Sequence, residues 1–436
     1  MWIAVDDTDS TSGMCTTYLV SELISEFSEY DVICYPRLIR LNPDVPWKTR
    51  GNAALAVRFG KGRGEPVACA MVNGKTRYCY AEGDDARGDE STLERAARIV
   101  ESMSVLEDEK TNPGLAVFNS PPPDGYYWKA VREILTVEDA KRELDGCGAL
   151  YRSFKNGRGL IGATGAAAWD ETGDRTFEII AYRQKTRWGT KRIVDDGCAR
   201  DLDRICPSSF DNYDPRNGHN RITPNSPCPI LYGIRGDDPK ELAAGMQSMK
   251  SEPVDRWTLF ISNQGTDDHL VEKDISEIRP GDSVIVRGTV AAVPKTIEGS
   301  HVFFELSDGD AVVDCAAYEP TKEFRDLIRK LRPGDVVSCY GCVREMPRTI
   351  NLEKIRIESL VSVREKTANP RCEKCGRSMK SVGAGLGYRC RSCGEKADIS
   401  QAAFCVVDRD IAPGFYEVPV CARRHLAMPL KRLGKI

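Results

Sequence analysis

Short apolar runs alternate with amphipathic stretches over the first 250 residues of the chain. Trp2–Val5 is apolar at every position, which predicts a short strand buried on both faces. Tyr18–Phe27 has the spacing of an amphipathic helix, and Ala53–Phe59 reads as a further strand. The alternation indicates two successive units of mixed helix and strand, over residues 1–125 and 126–252.

Five strand-like runs and one helical run predict a β-barrel in residues 253–365. The helical run, Thr321–Leu331, lies between the third and fourth strands, an order typical of the oligonucleotide-binding (OB) fold. Single-stranded nucleic acid is the commonest ligand of this barrel, although sugars and proteins are alternatives. The predicted strands are Asp282–Val290, His301–Leu306, Ala311–Ala317, Val336–Val343 and Thr349–Ser359.

Two Cys-X-X-Cys pairs in the last unit, residues 366–436, predict a zinc ribbon. Each pair brings two sulfurs to one ion, and four thiolates close a tetrahedral site, so the Zn²⁺ is expected to be structural. Cys339 and Cys342 have the same spacing without a second pair, and we interpret them as thiols of a strand. The predicted ligands are Cys372, Cys375, Cys390 and Cys393.

Composition and charge narrow the class of protein. No apolar run approaches the ~20 residues of a membrane-spanning helix, and the N-terminus reads as a strand instead of a signal peptide. Seventeen cysteines without a secretory signal favour reduced thiols and a cytoplasmic protein. The net charge is −3, yet residues 371–436 carry 13 Lys or Arg against 6 Asp or Glu. We expect this basic end to contact phosphates of a nucleic acid, the alternative being a solvated charged face.

Three carboxylates, Asp6, Asp7 and Asp9, follow the first predicted strand directly. Ligands of open α/β sheets bind at the carboxyl ends of strands. Carboxylates this close repel one another, and a hard cation such as Mg²⁺, shared with phosphates, would relieve the repulsion. The alternative is an acidic turn that only caps a buried strand.

Small and basic residues after these carboxylates are candidates for binding a phosphate. The hydroxyl-rich segment from Ser10 runs into a predicted helix whose first backbone amides would favour an anion. Lys48, Arg50 and Asn52 lie in a polar turn and are the nearest candidates to neutralise a phosphate. A solvated hairpin turn explains each of these residues equally well. The candidates are Ser10, Gly13, Thr17, Lys48 and Arg50.

A polar segment without periodicity, residues 209–229, predicts a long loop. Such loops inside compact domains are more often functional than idle. Asp211, Asp214 and His219 are candidates for binding a cationic group, with a structured surface loop as the alternative.

Glycines at 159, 162 and 165 precede and enter a predicted helix. Their spacing does not match a dinucleotide-binding fingerprint. Close helix packing and ligand contact explain them equally well.

The order of these features resembles one family, the archaeal isoleucine-tRNA 2-agmatinylcytidine synthetases. The resemblance extends over the whole chain and rests on the acidic start, the segments 210–214 and 227–236, the barrel and the ribbon. The sequences that carry it are Asp6-Asp-Thr-Asp-Ser, Gly13-Met-Cys-Thr-Thr, Phe210-Asp-Asn-Tyr-Asp and Pro227-Cys-Pro-Ile-Leu-Tyr-Gly-Ile-Arg-Gly.

This resemblance implies a multidomain α+β protein with a kinase-like α/β domain, a ferredoxin-like domain, an OB-fold barrel and a zinc ribbon. It implies ATP-dependent attachment of agmatine to the wobble cytidine of the isoleucine tRNA with a CAU anticodon, so that the tRNA reads AUA. ATP is expected to be released as AMP and phosphates. The metal ligands would fall among the three N-terminal carboxylates, and the phosphorylated threonine on Thr16. The basic tail after the ribbon has no role implied by the family.

The expected chemistry agrees with these residues. The 2-oxo group of cytosine leaves poorly, so ATP must first phosphorylate it before the agmatine amine displaces phosphate. The agmatine guanidinium needs carboxylates, for which Asp211 and Asp214 are the candidates. Two alternatives remain: another ATP-dependent RNA-modifying enzyme, and a non-catalytic RNA-binding protein with a barrel and a ribbon.

Overall fold

The computed structural model describes residues 1–49 and 51–434. A body built on one large sheet is followed by a barrel, a small cysteine-rich unit and a C-terminal tail. The α-helices are α1 (Thr16–Glu26), α2 (Glu90–Met103), α3 (Asp124–Arg132), α4 (Val137–Gly146), α5 (Gly159–Ala168), α6 (Asp196–Ile205), α7 (Pro239–Ser248) and α8 (Phe324–Arg329).

Twelve strands of the described chain form one sheet. They are β1 (Trp2–Asp6), β2 (Asp31–Arg40), β3 (Ala53–Arg63), β4 (Val67–Val72), β5 (Lys75–Tyr80), β6 (Glu82–Asp85), β7 (Gly114–Phe118), β8 (Leu150–Ser153), β9 (Thr176–Arg183), β10 (Ser209–Phe210), β13 (Ile230–Gly236) and β14 (Val254–Ser262). The order is β10-β13-β9-β14-β4-β5-β2-β3-β1-β7-β8, with β6 beside β3. A separate hairpin joins β11 (Tyr213–Asp214) to β12 (His219–Asn220).

β1 lies inside this sheet, antiparallel to both β3 and β7. Side chains alternate between the two faces of a strand. Ile3 and Val5 therefore join the core that α1 and α2 cover, while Trp2 and Ala4 join the core beneath α3, α4 and α5. The prediction of a strand buried on both faces is confirmed, and β1 carries Asp6 to the edge of both cores.

β14 joins the early and late parts of the sheet. It pairs antiparallel with β9 and β4, and parallel with β2 at Ile261 and Ser262. Strands separated by more than 200 residues in the chain thus share one sheet, and loops from both parts meet at the same edge.

The strands of the barrel region are β15 (Val271–Glu272), β16 (Ser283–Val290), β17 (Lys295–Thr296), β18 (Val302–Ser307), β19 (Val312–Ala317), β20 (Val336–Arg344) and β21 (Thr349–Ser359). The five predicted strands are among them. These five form a closed ring, β16-β20-β21-β19-β18, because β16 also pairs with β18. The helix between β19 and β20 is shorter than predicted, since Glu319–Thr321 forms a 3₁₀ turn and Lys322 has a φ of 47°.

The cysteine-rich unit stands at the end of a two-stranded arm. The arm is formed by β22 (Val363–Ala368) and β26 (Ala403–Val407), which pair antiparallel. Between them lie β23 (Lys380–Ser381), β24 (Tyr388–Arg389) and β25 (Lys396–Ala397). After the arm, β27 (Gly414–Glu417) returns to the barrel and pairs with β21. The chain then continues as a tail along the large sheet.

Candidate functional site

A cleft of about 320 Å³ opens at the carboxyl end of β1. Its walls are the start of α1, the start of α5, and parts of the segments 38–55 and 221–235. His425 of the C-terminal tail lines it as well. The cleft lies at the strand end where the sequence predicts ligand binding.

Asp6 and Asp7 are crowded together in this cleft. The Asp7 amide donates to Asp6 Oδ1 at 2.6 Å, and burial together with the Asp7 charge raises the pKa of Asp6 well above its ordinary value. Arg158 donates to Asp7 Oδ2 through Nη2 at 2.9 Å and through Nε at 3.2 Å. Burial still raises the pKa of Asp7 to about 6, although Arg158 acts to lower it. Arg158 offsets part of the negative charge of Asp7, and a cation would relieve the remaining repulsion between the two carboxylates.

Close packing explains the two glycines at the start of α5. A Cβ at Gly162 would overlap the Asp6 carboxylate, and a Cβ at Gly159 would overlap the backbone of Gly114 and of Asp6. The glycines let α5 pass directly over the end of β1. These contacts support helix packing for both glycines. Gly162 also lines the cleft, so ligand contact stays the alternative for this residue.

Asp9 lines the cleft, whereas Ser10 and Gly13 lie outside its lining. The Ser10 hydroxyl donates to Asp108 Oδ2 at 2.6 Å. This bond and the backbone amide of Lys110 hold the pKa of Asp108 at about 2. A Cβ at Gly13 would meet no atom within 4 Å. Ser10 therefore anchors the loop, and its predicted contact with ATP stays a prediction, as does that of Gly13.

Thr16 and Thr17 form the first turn of α1 and line the cleft. Both are buried, and the Thr17 hydroxyl lies 3.0 Å from Cys15 Sγ. The start of this 11-residue helix directs backbone amides and partial positive charge toward the cleft. The structure thus brings the hydroxyl-rich turn beside the carboxylates of β1.

The turn before β3 contributes Lys48, Thr49 and Asn52 to the cleft lining. Lys48 Nζ donates to the carbonyl of Pro43, and burial lowers the pKa of its ammonium group. Asn52 Nδ2 is bound to the backbone within the same turn. The remaining candidate of this turn, Arg50, lies outside the described residues.

The opposite wall of the cleft is basic, which the sequence analysis did not predict. Arg40 ends β2, Arg235 lies on β13 and Arg221 lies in the loop before it. Glu178 of β9 accepts from Arg235 Nε at 3.2 Å. Glu178 could have been identified from the sequence, because it is a charged residue within the otherwise apolar run of β9. No local pattern distinguishes the three arginines.

Arg192 shapes the loop that forms part of this wall. Its guanidinium donates to four backbone carbonyls, at 2.7 Å to Ile230 and at 2.8 Å to each of Pro224, Ser226 and Cys228. One side chain thus fixes the path of segment 224–230. No local pattern in the sequence distinguishes this arginine from the others.

Asp211 and Asp214 lie outside the cleft lining and contact the C-terminal tail. Asp211 forms an ion pair with Arg423. Asp214 accepts the Cys421 amide at 3.0 Å and the Asn217 amide at 3.0 Å. These contacts hold the loop to the tail, and an agmatine contact by either carboxylate stays a prediction. His219, the third candidate of this loop, is exposed and bonds to the Asn220 carbonyl.

The four predicted zinc ligands come together. Sγ–Sγ distances are 3.4 Å for Cys372–Cys393, 3.4 Å for Cys375–Cys390 and 3.9 Å for Cys375–Cys393. Tetrahedral zinc with Zn–S bonds of about 2.3 Å requires sulfurs about 3.8 Å apart. Across residues 1–49 and 51–434 this is the one group of three or more such ligand atoms that converges.

Cys339 and Cys342 are buried on β20 and away from that group, as predicted for strand thiols. All 17 cysteines are free thiols in the structure.

The basic tail is folded into the protein. Arg423 and Arg432 are only 6% and 4% exposed. Arg424 pairs with Asp44 at 3.1 Å, and Arg432 pairs with Asp174 at 2.7 Å. The expectation that these arginines contact phosphates of a nucleic acid is wrong, because internal carboxylates bind them.

Four family models match the chain. The TiaS TCKD domain matches residues 2–156, and the TiaS FLD domain matches 157–269. An OB-fold nucleic acid binding domain matches 284–358, and the TiaS C-terminal zinc ribbon domain matches 369–411. The chain belongs to the TiaS family. The predicted family and the predicted fold class are confirmed.

Relatives and solved structures of TiaS proteins match over nearly the whole chain. The isoleucine-tRNA 2-agmatinylcytidine synthetase TiaS of Methanosarcina acetivorans is 42% identical, over 99% of this chain and 97% of that protein. The enzyme of the same name from Archaeoglobus fulgidus is also 42% identical, over 100% and 98%. A complex of TiaS with an isoleucine tRNA and ATP is 40% identical with a TM-score of 0.84, over 99% and 97%. A complex of TiaS with an isoleucine tRNA, AMPCPP and agmatine is 36% identical with a TM-score of 0.81, over 99% and 97%.

Within the part of the chain that the structure describes, no helix is both long and apolar enough to cross a bilayer.

Proposed function

We propose that the cleft at the end of β1 is where this chain joins agmatine to the wobble cytidine of the CAU-anticodon isoleucine tRNA. As a member of the TiaS family, the chain is a tRNA-modifying ligase that uses ATP, and its partners are tRNA and agmatine. One observation carries the proposal: the carboxylates after β1, the start of α1 and a basic wall line one and the same cleft.

Asp6, Asp7 and Asp9 are the residues that would hold Mg²⁺ with the triphosphate of ATP. Carboxylate oxygens are the hard ligands that this ion prefers, and burial of the crowded Asp6 and Asp7 favours a bound cation. The three carboxylates do not form a converging group of their own in the described residues. One or two of them would therefore share the ion with phosphate oxygens, as is usual for Mg²⁺. When bound, the ion neutralises charge on the phosphates.

The chain's own groups would do the remaining work at the phosphates. Backbone amides at Thr16 and Thr17 favour negative charge, and Lys48 lies on the same cleft wall. The Thr16 hydroxyl is the candidate for the family's phosphorylated threonine, because it stands in the first turn of α1 and lines the cleft. An agmatine amine could then attack only after the 2-oxo oxygen of cytidine has received a phosphoryl group.

For agmatine, the best supported contact is Asp211. This carboxylate already binds a guanidinium, that of Arg423, where the two side chains are only 10% and 6% exposed. Agmatine carries the same group, so the geometry suits its recognition once Arg423 moves aside. Asp214 stays a weaker candidate, since backbone and side-chain donors already occupy its oxygens.

The barrel and the zinc ribbon would hold the tRNA. The ribbon projects on the arm of β22 and β26, most of whose residues are exposed. An exposed arm that extends from the barrel suits contact with a ligand as large as a tRNA. Proteins usually recognise the bases of single-stranded RNA loops when these are splayed out. We place the protein in the cytoplasm, where its thiols stay reduced. The boundaries between the four units, 1–125, 126–252, 253–365 and 366–436, stay predictions.

Incorporation of label tests this function. The purified chain is incubated with ATP, Mg²⁺, radiolabelled agmatine and an unmodified CAU-anticodon isoleucine tRNA transcript. We expect label in this transcript and none in a matched transcript with uridine at the wobble position. ATP consumption without label would favour another RNA-modifying enzyme. RNA binding with neither signal would favour a non-catalytic RNA-binding protein.

A further inference from the structure

Arg40, Arg221, Arg235 and His425 converge on the wall of the cleft opposite the acidic loop. Arg40 Nη1 and the His425 ring both pack against Gly51, within 3.4 Å of the position that a Cβ there would occupy. The carbonyl of His425 accepts the Gly265 amide at 2.8 Å, which fixes this part of the tail. We call these four residues the arginine–histidine subsite.

The subsite carries more positive than negative charge. Glu178 accepts from Arg235 Nε at 3.2 Å and from Gln264 Nε2 at 2.6 Å. Asp9 also acts on the charge of Arg40, and Asp211 and Asp214 act on that of Arg221. Asp211 is paired with Arg423, and Asp214 accepts from the amides of Asn217 and Cys421. Within residues 1–49 and 51–434, the guanidinium of Arg221 and the imidazole of His425 form no hydrogen bond to another side chain or to the backbone.

The pKa directions agree with an excess of buried positive charge. Burial lowers the pKa of Arg40 to about 10, although Glu178 acts to raise it. Burial, and then the charge of Arg235, lowers the pKa of Arg221. Burial and the neighbouring arginines lower the pKa of His425 well below its ordinary value, so this imidazole is neutral at pH 7. An anion at this place would be bound by two or three guanidinium groups with little water between them.

We propose that the arginine–histidine subsite binds a phosphate group and that the C-terminal tail supplies His425 as one of its contact residues. The proposal rests on the proposed function of the cleft. Guanidinium groups match phosphate oxygens in fork geometry, whereas the dication agmatine would be repelled from this wall. The charge of Asp9 also acts on Arg40, so a phosphate bound by Arg40 would face the acidic loop across the cleft.

Two sources of this phosphate fit the reaction: the phosphate chain of ATP, and a phosphodiester of the tRNA anticodon loop. Binding of inorganic pyrophosphate and of an anticodon stem-loop RNA to the full chain, each measured by titration calorimetry, distinguishes them. The variants are Arg221→Gln and His425→Gln. Arg216→Gln is the matched control, because Arg216 lies in the preceding loop with its side chain 78% exposed.

We expect at least one of the two probes to bind Arg221→Gln about tenfold or more weakly, since the variant loses a charge-assisted hydrogen bond to the probe. His425→Gln should weaken the same probe, and Arg216→Gln should bind both probes like the wild type. A loss for pyrophosphate alone assigns the subsite to ATP, and a loss for RNA alone assigns it to the tRNA. Unchanged affinity for both probes in both variants would overturn the proposal.

Two further variants keep the test independent of folding and of the proposed function. Arg221→Lys retains the charge without the fork, so partial recovery of the affected affinity supports direct contact, and no recovery in a folded variant counts against it. Loss of agmatine incorporation in Asp7→Asn tests the cleft itself. If that loss is seen while both probes bind the subsite variants with wild-type affinity, phosphate binding at the subsite is contradicted. The assignment of the cleft as the active site is then still supported.

Discussion

The guanidinium of Arg423 is paired with the carboxylate of Asp211, across 212 positions of the chain. Arg423 also contacts Glu417 Oε1 at 2.6 Å, so the tail retains one partner if Asp211 is given to another group. Asp211, the residue predicted to bind agmatine, thus already binds a guanidinium group of the tail, and agmatine carries the same group.

This pairing predicts competition between agmatine and the tail. In Arg423→Gln, agmatine should raise the melting temperature more than it does in the wild type, because no internal guanidinium has to be displaced. In Asp211→Asn the stabilisation by agmatine should be largely lost, and the KM for agmatine should rise about tenfold or more. Asp201→Asn, at an exposed carboxylate, is the control. Equal agmatine-induced shifts in all four proteins would exclude Asp211 as the ligand.

Arg192→Gln should loosen the loop that forms part of the basic wall. The variant loses the guanidinium that binds four carbonyls of segment 224–230, each bond contributing about 1 kcal/mol. We expect faster amide hydrogen exchange in this loop and a catalytic efficiency reduced about tenfold. Arg187→Gln, a neighbouring residue with its side chain 40% exposed, should leave both unchanged. An unaltered exchange pattern in Arg192→Gln would contradict the role assigned to Arg192.

Removal of one zinc ligand should unfold the ribbon and leave the rest of the protein folded. Structural zinc contributes about 10–16 kcal/mol of apparent binding free energy to small domains. Cys390→Ser should therefore lose bound zinc and bind tRNA more weakly, while the melting of the large sheet is unchanged. Cys405→Ser changes an exposed thiol of the arm outside the cluster and serves as control. Full zinc content in Cys390→Ser would be inconsistent with a four-cysteine site.

Acid should weaken the contact between the barrel and the tail through Glu353. Burial acts to raise the pKa of this carboxyl, but Arg424 and His269 outweigh it and lower the pKa from 4.5 to about 2. A lowered pKa in the folded state means that ionised Glu353 stabilises the protein above pH 4.5, and that this contribution is lost as the pH falls toward 2.

Glu353→Gln should accordingly lower the free energy of unfolding more at pH 7 than at pH 3, measured by urea denaturation. The exposed Glu345→Gln should show little change at either pH. A destabilisation by Glu353→Gln that is the same at both pH values would contradict the ionic role of Glu353.

Features that depend on neighbouring residues were predictable from the sequence. Three such features are confirmed: the buried strand β1, the strand order of the barrel and the convergence of the four cysteines. Each of them is visible in the residues of one short segment or in the order of such segments. The acidic loop was predictable because it follows β1 directly.

The other wall of the cleft was not predictable, because residues far apart in the chain build it. Arg158 meets Asp7 across 151 positions, and His425 reaches the cleft only because β27 returns to the barrel after the ribbon. Sequence pattern shows that the tail is basic, but only the fold shows that Asp44, Asp174 and Asp211 neutralise it.

The most direct test of the account is agmatine incorporation by Asp7→Asn compared with Asp84→Asn. Asp7 lies in the cleft with its side chain 11% exposed, whereas Asp84 lies on β6 with its side chain 69% exposed. We predict that Asp7→Asn lowers the rate of labelled agmatine incorporation into the CAU-anticodon tRNA by about 10²–10³-fold. Its tRNA affinity should be unchanged, and Asp84→Asn should react like the wild type. Wild-type incorporation by a folded Asp7→Asn variant would contradict the assignment of this cleft as the active site.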